Sequence, residues 1–261
     1  MIKKHTILFA ARGILLSTLA LNALVLDARA EDWPAPIKAL EAQGIEITDS
    51  FKAPDGLTGY VGLVGMQPLS IYLTSDGKHA IVGPMFDEQG HNLSQKPIEE
   101  LVSKPMTEKV WQQLEQSTWI ADGKENAPRV VYVFTDPNCP YCNKFWKEAR
   151  PWVESGKVQL RHIMVAILEP SSPTKAAAIL TAKSPQKALE QFEENYASGD
   201  GKALREVPDK IGAELDANLK LMQKIGAQAT PTIFYKDANG LLQKIQGAPP
   251  AENLSEVLGP R

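Results

Sequence analysis

Two cysteines are the whole thiol content of this 261-residue chain, and they stand three positions apart at Cys139 and Cys142. In front of them runs an apolar, β-branched stretch, RVVYVFT (residues 129–135), and from Pro140 onward PYCNKFWKEARPWV has helical spacing. A pair of thiols between a buried strand and a helix admits three readings: a structural staple, half of a metal site, or a redox couple. A staple closing so short a loop removes little entropy from the unfolded chain and adds little stability. Zinc needs further ligands, yet no second Cys-x-x-Cys exists, and beyond residue 30 the histidines are His79, His91 and His162, none of them forming a tight pair. The redox reading requires nothing more than is present. Pro140 suits the first position of a helix, where its missing N–H goes unused. Cys139 then faces the helix N-terminus, whose unpaired amides and partial positive charge favour thiolate. Cys142, almost one turn later, can displace whatever Cys139 captures.

The N-terminus carries Lys3, Lys4 and Arg12, an apolar run over residues 13–26, and Ala28-Arg29-Ala30 in the manner of a cleavage site. Residues 1–30 are therefore expected to be a cleaved export signal, too short in its apolar run to span a bilayer. They hold four basic residues, Lys3, Lys4, Arg12 and Arg29, and one acid, Asp27, so their removal moves the net charge from −3 to −6. An acidic surface of this kind argues against a nucleic-acid partner.

Residues 31–104 read as a small β-rich domain. PAPIKALEAQG opens it as a short helix, a strand is expected over residues 45–51, and LTGYVGLV, PLSIYLT and KHAIVGPMF follow as strands separated by turn signals. So small a core favours association with a second copy. TEKVWQQLEQSTW (residues 107–119) is expected to be an amphipathic helix with Thr107 as its N-cap, forming with the polar ADGKENAP a linker over residues 105–126. From 127 to 261 strands and helices alternate: the strand at 129–135, a helix bent or ended by Pro151, a strand at 158–167, helical material over about 171–226, a hairpin turning at residues 237–240, and a last helix. His162 reads as a satisfied or solvated strand residue. Of the aromatic group Tyr141, Phe145, Trp146 and Trp152, Tyr141 is the one expected to be exposed, while core and surface readings stay open for the others. The downstream ATPTIFY places Thr230 before Pro231 at the head of a strand, a position where a cis peptide would let the Thr230 backbone pair with an extended peptide beside Cys139.

Taken together, the strand, Cys139-Pro140-Tyr141-Cys142, the helical insertion and Thr230-Pro231 resemble a thioredoxin-like domain of the periplasmic DsbC/DsbG family. PAPIKALEAQGI, IYLTSDGKHAI, CPYCNKFWKEARPWVESGKVQLR and AAAILTAK carry the likeness toward the DsbG branch over nearly all of the chain beyond the signal. The second, structural disulfide expected of DsbC has no counterpart here. What the resemblance implies is an α+β architecture: an N-terminal cystatin-like dimerisation domain, a linker helix and a thioredoxin-like domain, assembled as a V-shaped homodimer in the periplasm. It implies disulfide isomerase and reductase activity without a cofactor or metal, reduction of sulfenylated cysteines, chaperone-like substrate binding, and resetting by the membrane reductase DsbD. Cys139 and Cys142 carry over as the catalytic pair, with Pro140, Tyr141, Thr230 and Pro231 in support. Two alternatives stay in view, a dithiol oxidase resembling DsbA and a holdase whose thiols are incidental. In one respect the chain departs from thioredoxin itself: Val133 stands where a buried Asp is usual, leaving the proton acceptor for Cys142 unnamed.

Overall fold

A computed structural model describes residues 32–199 and 201–261. The expected export signal, residues 1–30, lies outside the described residues.

After helix α1 (Ala35–Glu41), which buries Ile37 completely, the strands β1 (Glu46–Lys52), β2 (Thr58–Val64), β3 (Gln67–Leu73) and β4 (Ala80–Val82) form an antiparallel meander in the order β1-β2-β3-β4. Tyr60 pairs with Ile71, and Ile71 in turn with Val82. Two glycines in β2 permit close approach: a Cβ at Gly59 would fall 2.3 Å from the Phe51 ring, and one at Gly62 would fall 2.5 Å from the Glu46 carbonyl oxygen. The Phe51 ring also meets Tyr72 edge-on at 5.9 Å.

Next comes a helical rod with three segments, α2 (Gln95–Ile98), a wider π turn over Glu99–Ser103, and α3 (Lys104–Gln116). It starts well before the expected residue 107. Pro105 is accommodated at the head of α3, directly behind the π turn, so it does not mark the helix start. Thr107 consequently lies inside the helix rather than capping it: its hydroxyl donates to the Ser103 carbonyl at 2.7 Å and accepts from the Leu242 amide at 2.9 Å. The apolar face of α3 is covered, with Val110 and Leu114 packed among Tyr132, Phe134 and Ile163.

The second sheet contains β5 (Ile120–Asp122), β6 (Arg129–Thr135), β7 (Val158–Met164), β8 (Thr232–Lys236) and β9 (Leu242–Gln246), in the order β5-β7-β6-β8-β9. Only β6 and β7 run parallel. Helix α4 (Pro140–Glu154) joins them, whereas α5 (Ser172–Leu180), α6 (Pro185–Glu194) and α7 (Asp209–Lys224) lie between β7 and β8, and α8 (Leu254–Leu258) ends the chain. Alternation along the central strand assigns the layers. Val131 and Val133 face α4 and α8, packing with Phe145, Trp152 and Val257, while Tyr132 and Phe134 face α3 and α7. Helix α4 runs through Pro151 and continues for three residues, so of the two outcomes expected there, a bend or an end, the helix does not end. Trp152, in that last turn, is anchored by its indole N–H donating to the Gly259 carbonyl at 2.8 Å. Trp146 and Trp152, for which a surface role stood open, are buried, as is Phe145; Tyr141 is 63% exposed.

Candidate redox site

Strand β6 delivers the chain to a three-residue loop, Asp136-Pro137-Asn138, and Cys139 follows as the N-cap of α4 with extended backbone angles (φ −88°, ψ 108°). Pro140 occupies the first turn, as the missing N–H allows. The Cys139 Sγ accepts from the Cys142 amide at 3.1 Å, the role a serine or aspartate oxygen plays at an ordinary N-cap. Cys139 and Cys142 are joined as a disulfide with Cα atoms 5.2 Å apart, within the usual range for such a bridge.

Cys139 is only 2% exposed and Cys142 3%. The sequence led us to expect a reachable first sulfur; in the disulfide form it is turned back against the helix N-terminus and its partner sulfur. The large apolar side chains exposed nearby include Tyr141, between the two cysteines, and Ile167 and Leu168, which follow β7.

The Thr230–Pro231 peptide is cis. Thr232 opposes Phe134 on one side and Gln246 on the other, so the antiparallel register carries Pro231 and Thr230 toward the end of β6 from which the cysteine loop departs. The Pro231 carbonyl is held by the Gly247 amide at 2.7 Å. The buried Thr230 hydroxyl oxygen has no hydrogen-bond partner among the described residues.

Asp136 was not singled out by the sequence. It is 1% exposed, and its carboxyl accepts four hydrogen bonds: from the Asn138 amide (2.8 Å) and the Ser172 hydroxyl (2.8 Å) on one oxygen, and from the Ile167 (2.7 Å) and Leu168 (3.0 Å) amides on the other. Its backbone carbonyl accepts from the Cys139 amide at 3.0 Å. Asn138 extends the network, donating to Ser171 and Ser172, accepting from the Lys175 ammonium at 2.6 Å, and taking the Tyr196 hydroxyl on its carbonyl. The one signal in the sequence was the D-P-N run, since an aspartate two residues before a turn amide can make an Asx turn. The other donors sit about thirty positions away and leave no local trace.

Behind α4 lies a second buried polar group. Val133 is core, 1% exposed, so no carboxyl occupies that position. Instead Asn143, next to Cys142, donates its amide to the Glu193 carboxyl and to the Glu193 carbonyl, both at 2.7 Å. Burial pushes the Glu193 carboxyl up, against the lowering influence of the Asn143 bond. Asp122 forms an ion pair with Arg150 in two hydrogen bonds and lies 3.4 Å from the His162 Nε2. Burial opposes its ionisation, but the bonds from His162 and Arg150 outweigh that and hold the carboxyl well below the usual range. His162 is 2% exposed, so the solvated alternative for it is excluded. The Arg150 guanidinium also lies over the Trp146 ring, 4.1 Å from its centroid.

Comparison with known proteins agrees with this geometry. A thioredoxin-like domain matches residues 120–260. The thiol:disulfide interchange protein DsbG of Pseudomonas aeruginosa is 50% identical over 250 residues, covering 94% of this chain and 98% of that protein. DsbG of Escherichia coli K12 is 48% identical over 245 residues, covering 92% and 97%. DsbC of the same bacterium is 28% identical over 250 residues, covering 95% of each. A chain with this fold, with its cysteine pair at the head of α4 and with such identity along nearly its full length belongs to the DsbG family of thiol:disulfide interchange proteins.

Proposed function

We propose that this protein is exported to the periplasm, loses residues 1–30 on the way, and acts there as a homodimeric reductant and disulfide isomerase with Cys139 as nucleophile. The observation that carries this reading is the Cys139–Cys142 bridge at the start of α4, in which the first sulfur already accepts the N–H of the second cysteine. In the reduced protein that amide, and the other unpaired amides of the first turn, stabilise a thiolate on Cys139. The thiolate attacks one sulfur of a partner's disulfide; the new S–S bond forms as the old one breaks, and the partner's second sulfur leaves as a thiolate that takes up a proton. If a different thiol of the partner then attacks the partner sulfur bound to Cys139, a new disulfide forms in the partner as that bond breaks, Cys139 leaves as the thiolate, and the disulfide has been isomerised. If Cys142 attacks instead, it loses its proton, the partner departs reduced, and the Cys139–Cys142 bridge is regenerated. A protein sulfenic acid follows the same route, its oxygen leaving as water once protonated.

The electrons come from the cysteine pair itself, so no bound cofactor is called for; an external dithiol, the membrane reductase DsbD by family resemblance, resets the pair. Thr230 and cis-Pro231 sit where an extended partner segment can pair beside the cysteines, and Tyr141 offers it an exposed ring. Chaperone-like holding of partners belongs to the same reading. The homodimer is supported by β4, which pairs on one side only and exposes Ile81 at 59% and Val82 at 47%, with Phe86 beyond at 57%. An open apolar edge of that kind invites a second copy. By sedimentation the wild type is expected at the mass of two chains and Ile81→Asp at the mass of one; a monomeric wild type overturns the dimer.

The function is tested with Cys142→Ala in cells. This variant is expected to accumulate partners covalently bound to Cys139, multi-cysteine proteins reporting disulfide exchange and single-cysteine proteins reporting sulfenic acid reduction. Recovery of no reducible adducts contradicts the reading.

A further inference from the structure

The geometry points to Asp136 and Lys175 as positioning residues that set, in opposite directions, how firmly the Cys139–Cys142 pair holds its electrons. The inference rests on the proposed role of Cys139 as the ionised thiol.

Every bond to the Asp136 carboxyl is one it accepts, the arrangement of an ionised group, and among the described residues it has donors but no ion-pair partner. That carboxyl lies three residues before Cys139, in a site 1% exposed and screened by little water. Lys175 brings the opposite charge to the same loop, its ammonium held at 2.6 Å by the Asn138 side chain, one residue before Cys139. Two further acids stand in this neighbourhood: Glu169, whose carboxyl is 3.4 Å from the Ser171 hydroxyl, and Glu193. Neither bonds the cysteine loop directly in the way Asp136 and Lys175 do.

Fixed charges near a couple matter when its two forms differ in charge. Reduction by a dithiol donor breaks the S–S bond, transfers two electrons to the protein, and leaves Cys139 as a thiolate, Cys142 as a thiol, the donor as a disulfide, and one proton released. The bridge is neutral and its reduced form is anionic. A buried carboxylate beside the loop disfavours the anionic form and makes the pair a stronger reductant; an ammonium favours that form and makes it a weaker one. Asp136 thus supports the reducing direction in place of the acid missing at position 133, and Lys175 restrains it.

The test is the reduction potential of the full-length protein, measured by equilibration against a dithiol of known potential, together with the pH dependence of Cys139 alkylation. Asp136→Asn is expected to shift the equilibrium about tenfold toward the reduced form, a potential higher by about 30 mV. Lys175→Met is expected to shift it about tenfold the other way, and Lys175→Arg, which keeps the charge, to stay near wild type. Loosening of the loop alone would move both variants in the same direction; that result, or an unmoved Lys175→Met, overturns the inference. If Asp136→Asn does not fold, the Lys175→Met and Lys175→Arg pair decides it. Alkylation at Cys142 in preference to Cys139 would instead overturn the functional reading beneath it, so the two failures are distinguishable.

Discussion

Replacing Cys139 with Ser is expected to abolish disulfide reduction and isomerisation, a loss on the order of 10³-fold or more. A serine hydroxyl at the same N-cap can accept the Cys142 amide, so the helix start and the fold should persist. What disappears is the thiol proposed to make the first bond to the partner's sulfur, and the remaining Cys142 is buried. Cys142→Ser has a different signature: the first attack survives, but with no thiol to resolve the adduct, turnover depends on thiols within the partner. Reduction should therefore fall much further than isomerisation. An insulin-reduction assay run beside refolding of a scrambled multi-disulfide protein separates the two variants. If Cys139→Ser kept its exchange activity, the sulfurs would be incidental; if it lost exchange but still held unfolded chains in solution, holding and exchange would be separate activities of one molecule.

Asp122→Ala is expected to cost about 3 kcal/mol of stability, read from urea unfolding near neutral pH. The carboxylate joins β5 to β7 and α4 through His162 and Arg150, and its removal leaves the Arg150 charge, with its side chain 18% exposed, without its buried partner. Some water reaches the pair, which places the cost at the low end of what breaking a buried ion pair entails. The pH dependence has a definite sign. Because the folded-state pKa of Asp122 is depressed below its ordinary 3.8, its contribution is present above that value and is lost as pH falls toward the folded-state one. Wild-type protein should therefore lose stability on acidification more steeply than Asp122→Ala, the gap between them narrowing as pH falls below 3.8. A gap that widened under acid would contradict the assignment.

Most of the scaffold was legible because its signals are local. The continuous apolar run at residues 129–135 gave a central strand, the Pro34 and Gly44 punctuation bracketed the first helix, and Asp237 and Gly240 do close the hairpin turn. Where reading failed, a distant partner had decided the outcome. Thr107 looks like a cap in isolation, but the helix runs on upstream of it and its hydroxyl is engaged by Leu242, 135 positions away. Pro151 looks like a stop, yet the following Trp152 is pinned to the Gly259 carbonyl and keeps the last turn in place. For Trp146 and Trp152 the helical spacing left core and surface both open, and packing in the fold, against Arg150 for the first and the C-terminal segment for the second, makes them interior. At the redox site the cysteines and prolines announce themselves by spacing. The Asp136 network does not, because its donors at Ile167, Leu168 and Ser172 meet it only after β7 has paired with β6.

The central claim is that reduction frees an ionised, accessible sulfur at residue 139, although the bridged form leaves that residue 2% exposed. Reduced protein should be alkylated under limiting iodoacetamide at pH 7 and each cysteine followed by peptide mass. Cys139 is expected to react faster than free cysteine, whose pKa near 8.5 leaves it mostly protonated, while Cys142 lags far behind. A Cys139 no faster than free cysteine, or slower than Cys142, would contradict that claim.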